Sequence, residues 1–280
     1  MSDEPKSRSQ GKGLSRTWTP VTLFTVLAAY QGAHYLPAQQ PSPKPITLGA
    51  LVEAMEAREK LADSAMLRWN ESERYAAGAL RKDPSEFTFA CEMLLEGLSM
   101  RYVGKSFSHH AGGDVTLVDH VSSYDGNESR FLQGATPPRG RILQEKANTD
   151  ARLYALMPFR LYFRPLAEPY GTLERKSLKL LDQRKTVDGH ACVAVDDGRL
   201  RVHLDCDRDF VPVAYQTFGG KGILHFEGKI EYYRADKGPL RWLPKAFQVT
   251  SPVPGFAVRT QGDSVQTTIG VPFALAGMTA

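Results

Sequence analysis

Phe87-Thr-Phe-Ala-Cys-Glu-Met-Leu-Leu-Glu96 decides the fold. The odd positions Phe87, Phe89, Cys91, Met93 and Leu95 are apolar, while Thr88, Glu92 and Glu96 alternate with them. Successive side chains of a strand point to opposite faces, so this spacing predicts a strand with one face buried and the other in water. Gly97 breaks or bulges it, and Leu98, Met100 and Tyr102 then continue the apolar face against Ser99, Arg101 and Val103.

The same period runs on toward the C-terminus. Residues 115–124 read as a strand, and Asp125-Gly-Asn127 is a turn leading into Ser129-Arg-Phe-Leu132. Pro137-Pro-Arg-Gly140 is a further turn before 141–146. Strand patterns then recur over 178–184, 190–195, 199–204, 211–218, 223–233, 241–250 and 264–271, with Gly, Asp or Pro at the joints. Two are unusually clean: Leu200, Val202 and Leu204 alternate with Arg199, Arg201 and His203, and Leu224, Phe226, Ile230 and Tyr232 alternate with His225, Glu227, Lys229 and Glu231.

Two stretches have the helical period instead. Over 46–66, Leu48, Leu51, Val52 and Met55 fall at i, i+3, i+4 and i+7, Thr47 can cap the start, and Glu53, Glu56, Arg58, Glu59 and Lys60 populate the other face. Residues 149–157 make a short helix with Leu153 and Leu156 on one face, stopped by Pro158. From Leu67 the period is two. Counting gives roughly ten or eleven strands with no βαβ spacing. The expected fold is α+β and mainly β: one large antiparallel sheet, with an N-terminal helix and a short mid-chain helix packed on one side. No repeat and no boundary follows residue 46, so 46–280 is expected to be a single domain.

The 280 residues are 42% hydrophobic and 24% charged, and the 24 Gly and 18 Pro show no period. That composition excludes a disordered or collagen-like chain. The net charge is only +4, and Lys6, Arg8, Lys12 and Arg16 against Asp3 and Glu4 hold half of it. No dense Lys/Arg stripe with interleaved aromatics follows, which argues against nucleic-acid binding.

After Arg16 no charge occurs until Lys44, and Val21-Thr-Leu-Phe-Thr-Val-Leu-Ala-Ala29 forms a short apolar core behind the basic stretch. This is the layout of a secretory signal. Pro20, Gln31, Gly32, His34 and Pro37 bracket the core well short of the ~20 apolar residues of a membrane span. Residues 1–45 are therefore expected to be a signal peptide and Pro-rich linker, or otherwise a leader with a chance apolar run. The chain is expected to be exported to the periplasm or cell envelope. Of the 3 cysteines, Cys192 and Cys206 flank a hairpin with Asp196-Asp-Gly198 at its tip. Pairing about that tip sets Cys192 opposite Val202, beyond disulfide reach of Cys206. Buried free thiols are expected.

Catalytic signatures are weak. There is no G-x-S-x-G elbow, H-E-x-x-H helix, Walker loop or G-x-G-x-x-G. Gly262-Asp-Ser264 reads as a turn between strands. His109 and His110 with Asp114, Asp119 and His120 form the densest set of metal-ligand types, but neighbours on a strand point oppositely, so only one of the adjacent pair could ligate with the rest. Neither an enzyme nor a cofactor or metal is expected.

Three stretches carry a resemblance: Ser123-Tyr-Asp-Gly-Asn-Glu-Ser-Arg-Phe131, Thr186-Val-Asp-Gly-His-Ala-Cys-Val-Ala-Val195 and Leu204-Asp-Cys-Asp-Arg-Asp-Phe-Val-Pro-Val213, continued by Arg241-Trp-Leu-Pro-Lys245. Together with the leader, one amphipathic helix and a run of antiparallel strands, they resemble the LolA/LolB-like lipoprotein-carrier family over about residues 46–275. The resemblance implies a sheet curled into a half-open barrel closed by helices, whose concave apolar face holds acyl chains. It implies lipid acyl chains or lipidated protein as partners, an envelope protein as donor or acceptor, and a monomer.

A curved sheet whose apolar face is too large for one helix to cover leaves a greasy cavity. The expected lining is Phe87, Phe89, Met93, Leu95, Met100, Leu200, Val202, Leu224, Phe226 and Ile230. The same residues could instead pack solidly against the helix. The first arrangement makes a carrier or sensor of lipid or lipoprotein; the second makes an envelope protein-interaction module. A secreted hydrolase using the His109 to His120 region is a third reading.

Overall fold

The computed structural model describes residues 45–77, 85–109, 115–134, 137–144, 153–166, 172–252 and 258–271. The chain divides into units 1–44 and 45–280, and every described residue belongs to the second. No helix among the described residues is long and apolar enough to cross a membrane.

The fold is α+β and mainly β. Helix α1 (Leu48–Leu61) leads into six strands: β1 (Ser64–Tyr75), β2 (Ser85–Glu96), β3 (Ser99–His109), β4 (Val115–Tyr124), β5 (Glu128–Gln133) and β6 (Arg139–Gln144). Helix α2 (Leu153–Phe163) follows. Seven more strands come after it: β7 (Lys179–Val187), β8 (His190–Asp196), β9 (Leu200–Asp205), β10 (Pro212–Phe218), β11 (Leu224–Arg234), β12 (Trp242–Thr250) and β13 (Val258–Ile269). All thirteen form one open, curved antiparallel sheet in the order β6-β5-β4-β3-β2-β1-β13-β12-β11-β10-β9-β8-β7, a half-barrel rather than a closed one.

That order explains where the helices lie. Each half of the sheet is a meander in which consecutive strands pair with one another, and the halves join where β1 pairs with β13. The chain must therefore cross from one edge strand, β6, to the other, β7. Helix α2 sits in that crossover and lies on the apolar face: Phe159 meets the Trp69 ring at 4.7 Å and Phe247 at 5.2 Å, and Tyr162 meets Tyr232 at 5.5 Å. Leu51 and Met55 of α1 are buried in the same cluster. The outer face is wet and carries cross-strand ion pairs such as Arg68–Glu92 at 2.7 Å and Lys105–Asp119 at 2.6 Å.

Several expectations are corrected. The strands among the described residues number thirteen, and β1 begins at Ser64, because α1 ends at Leu61 with its last carbonyls taken by the Ala62 N–H. Pro158 lies inside α2 rather than ending it. The helix runs on because Phe159, Leu161, Tyr162 and Phe163 are all buried, and that burial outweighs the hydrogen bond proline cannot make. Gly262-Asp-Ser264 is no turn: it lies within β13, where the register shifts opposite Arg68 and Asn70 and Ser264 takes φ +54, a bulge. The hairpin of Cys192 is also offset from the expected one. Asp197 accepts from the Arg199 and Leu200 N–H groups and turns the chain, so Cys192 pairs with Asp205 and lies diagonal to Cys206. Cys206 shares a register position with Ala191 through its own N–H, on the other face of the sheet. The two form no disulfide for that reason, and Cys91 forms none either.

Candidate functional site

Strand β1 runs along the middle of the sheet, and its odd positions Leu67, Trp69, Glu71, Glu73 and Tyr75 are all buried on the helix-covered face. Two carboxylates therefore stand in an apolar row, each fully buried. Such groups must be hydrogen-bonded. Glu71 Oε2 accepts from the Trp69 indole at 2.9 Å, and the Cys91 thiol lies 3.8 Å away. Glu73 Oε2 accepts from the Tyr75 hydroxyl at 2.7 Å and Oε1 from the Tyr154 hydroxyl at 2.8 Å. Burial, then Tyr154 and Glu73, push the Tyr75 phenol far above its usual range, so it stays a donor.

Aromatic rings gather round this end of the face. Phe87 is the register partner of Glu73, and Tyr75, Phe87 and Phe107 form an edge-on triad with centroids 5.1 to 6.4 Å apart. Across the sheet, the Phe226 ring stacks on Tyr154 at 5.3 Å and 7°. Two aromatic walls, two carboxylates between them and the first turn of α2 bonded to one of those carboxylates make up this mouth end of the face.

The far end of α2 is closed differently. The Arg164 guanidinium, 5% exposed, donates to the carbonyls of Gly97, Ala62, Phe163 and Asp63 at 2.7 to 2.9 Å. One side chain thus ties the end of α1, the β2–β3 turn and the end of α2.

The sequence-predicted lining is spread over both wings. Phe89, Met93, Leu95, Met100, Leu200, Val202 and Ile230 are buried in a single cluster with α1 and α2, while Phe87 and Phe226 are half-buried against it at the mouth. Leu224 is half-buried at the end of its hairpin, outside that cluster. Six strand pairings separate Leu200 and Val202 from Phe89 and Met93, with the helices between. The residues that sequence reasoning missed are Glu71, Glu73, Tyr75, Phe107 and Tyr154. The signal for the glutamates was present: they fall in step with Leu67 and Trp69, on the apolar side of a clean alternation.

Of the histidine set, His110 and Asp114 lie outside the described residues. Asp119 is exposed and paired with Lys105, while His120 is buried on the opposite face beside Tyr102 and Phe131. No group of three or more potential metal ligands occurs among the described residues.

No family model matches the chain, and no curated protein does. Among solved structures it is similar to a domain from Vibrio parahaemolyticus described as outer membrane lipoprotein-sorting, with 12% identity and TM-score 0.47 over 81% of this chain and 94% of that one. It is also similar to a LolA superfamily protein from Nitrosomonas europaea, with 11% identity and TM-score 0.48 over 80% and 96%. A third is a DUF1329 family protein from Desulfovibrio piger, with 12% identity and TM-score 0.47 over 81% and 95%.

Proposed function

We propose that the chain is an exported carrier or sensor of lipid or lipidated protein in the bacterial cell envelope, and that acyl chains enter at the mouth beneath α2. The observation that carries this reading is the way α2 covers the apolar face. Its far end is locked by three bonds from Arg164 to the carbonyls of Gly97, Ala62 and Asp63, whereas its mouth end is held by Tyr154 against Glu73 and Phe226. Lifting the mouth end would part Tyr154 from Phe226 and uncover that wall first. An acyl chain gains about 0.8 kcal/mol per buried CH₂, so a single long chain is a substantial ligand. The function is binding rather than catalysis.

A second reading has its own support. Met93, Leu95, Met100, Leu200, Val202 and Ile230 are at most 4% exposed in the closed structure, which is what an interaction module with a dry core requires. Native mass spectrometry with solvent extraction separates the two. The sample is the full chain, purified gently from an exporting bacterial host. Stoichiometric acyl lipid on a chain shortened by its leader supports the carrier. A lipid-free, uncleaved chain overturns it in favour of the module, and a lipid-free but shortened chain keeps export while removing carriage.

A further inference from the structure

We infer that the molecule holds a second binding site, at the end of the sheet opposite the Tyr154 mouth, for an amphiphile headed by a carboxylate. A cavity of about 350 Å³ lies between α1, the end of α2 and the turns that follow β9 and β11. This is within the ~300–1,000 Å³ of small-molecule sites. Leu61, Phe210, Leu240 and Trp242 give it apolar walls.

Arg58 forms part of the lining and is itself only 5% exposed. Its guanidinium lies over the Tyr162 ring, 5.1 Å from the centroid, and its Nε donates to the Tyr162 carbonyl at 2.9 Å. Nη1 reaches the carbonyls of Asp209 and Phe210 at 3.3 and 3.4 Å. Those two residues both adopt φ +53, an uncommon conformation for side chains of their kind. The third nitrogen, Nη2, has no acceptor among the described residues, and neither has the indole Nε1 of Trp242 in the same lining.

A buried donor without an acceptor is costly, and two of them in the wall of one apolar pocket call for a ligand that accepts hydrogen bonds. Exposed Asp209 and Arg241 give its lining one further charge of each sign, and Glu59 and Asp209 both attract the Arg58 charge. Net charge therefore does not select the ligand; the two N–H groups without acceptors do. A guanidinium and an indole N–H suit the two oxygens of a carboxylate, with charge-assisted bonds to the former. The walls suit an alkyl or aryl body.

The test is equilibrium binding of dodecanoate to the full chain, followed by tryptophan emission, with Trp242→Phe to assign the signal. The expected result is a saturable change that Trp242→Phe removes, with methyl dodecanoate about tenfold weaker or worse. Arg58→Gln is expected to abolish it. Because that variant also loses bonds that hold α1, Ala57→Phe is the second probe: it fills the pocket from an exposed helix position and should block binding in a folded protein. Equal affinity for the methyl ester, undiminished binding to Ala57→Phe, or no saturable change in Trp242 overturns the site. Phe226→Asp separates this proposal from the carrier reading. A Trp242 response that survives Phe226→Asp belongs to this pocket and supports the site, whereas one that disappears with it belongs to the mouth and overturns the site.

Discussion

The hydroxyl of Tyr154, in the first turn of α2, donates a 2.8 Å hydrogen bond to the buried Glu73 carboxylate of β1. A helix and a strand near the middle of the sheet are joined there by one phenol, and the same ring stacks on Phe226. Tyr154→Phe keeps the stack and deletes the bond, removing one donor from a buried carboxylate. Stability should fall by about 1–2 kcal/mol, and the amides of α2 should exchange faster while those of β1 do not. Denaturant titration and hydrogen exchange measure both. Unchanged exchange in α2 would show that Tyr154 does not fasten the helix.

Arg164 is the opposite case, a charge buried to satisfy carbonyls. Burial lowers its pKa, and Asp63 and Glu59 partly counter this. Arg164→Met has a similar stem but removes the guanidinium donors from the carbonyls of Ala62, Gly97 and Asp63, the last of which keeps the Gly97 N–H. The expected loss is roughly 3 kcal/mol or more, read as a lower denaturation midpoint. A loss under about 1 kcal/mol would mean that water replaces the guanidinium, and that this end of the molecule is wetter than its burial indicates.

How far the sequence goes can be seen residue by residue. Period-two alternation located almost every strand, because a half-buried sheet writes its two faces into consecutive residues. It could not show that β1 pairs with β13, since that contact joins residues nearly two hundred positions apart and leaves no local mark. The extension of α2 past Pro158 was hidden for a related reason: Phe159 to Phe163 are apolar except for Arg160, a short run that reads equally as strand or buried helix. Glu71 and Glu73 were legible as misplaced charges, with Trp69 and Tyr75 two residues away on the same strand face, but the third donor, Tyr154, comes into reach only through the fold.

Gly262 carries a prediction about close packing. A Cβ built there would lie 2.0 Å from Cε1 of Phe247, its cross-strand partner, so the ring rests directly on the glycine backbone. Phe247 also packs edge-on against Phe159 of α2. Gly262→Ala must push that ring aside, and the cost should be about 1–3 kcal/mol. Thermal melts of the variant would show it. The same substitution at Gly140, where a Cβ meets nothing closer than 3.8 Å, should cost much less.

Stability should decline in alkali. Burial, with help from Asp205 and Cys206, pushes the Cys192 thiol up from 9.0 to about 11. Burial also raises the phenols of Tyr75, Tyr162 and Tyr215 far above 10.0. A group whose pKa is raised on folding holds its proton more tightly in the native state. Its contribution is therefore complete below the unfolded value and is lost as pH rises through the folded one. Unfolding free energy should be flat up to pH 9 and fall steadily above it. Alkylation of the native protein at pH 8 should label half-exposed Cys206 before buried Cys192 and Cys91. Labelling of all three at one rate would contradict this burial.

Phe226→Asp tests the mouth with little risk to the fold. The ring is half-buried, it stacks on Tyr154, and a carboxylate placed there can reach solvent. Phe89, at 7% exposure, is the less informative site, because a charge buried that deeply would unfold the sheet before it reported on a ligand. If acyl chains enter between Phe87 and Phe226, the aspartate puts a charge in their path, and co-purified lipid should fall below about a tenth of the unmodified level while circular dichroism stays the same. Phe226→Leu, which keeps an apolar wall without the ring, should retain most of the lipid. Equal lipid on the Asp and Leu variants would place the entrance elsewhere. Loss from both would point to the Tyr154 stack, rather than apolar surface, as what the ligand needs.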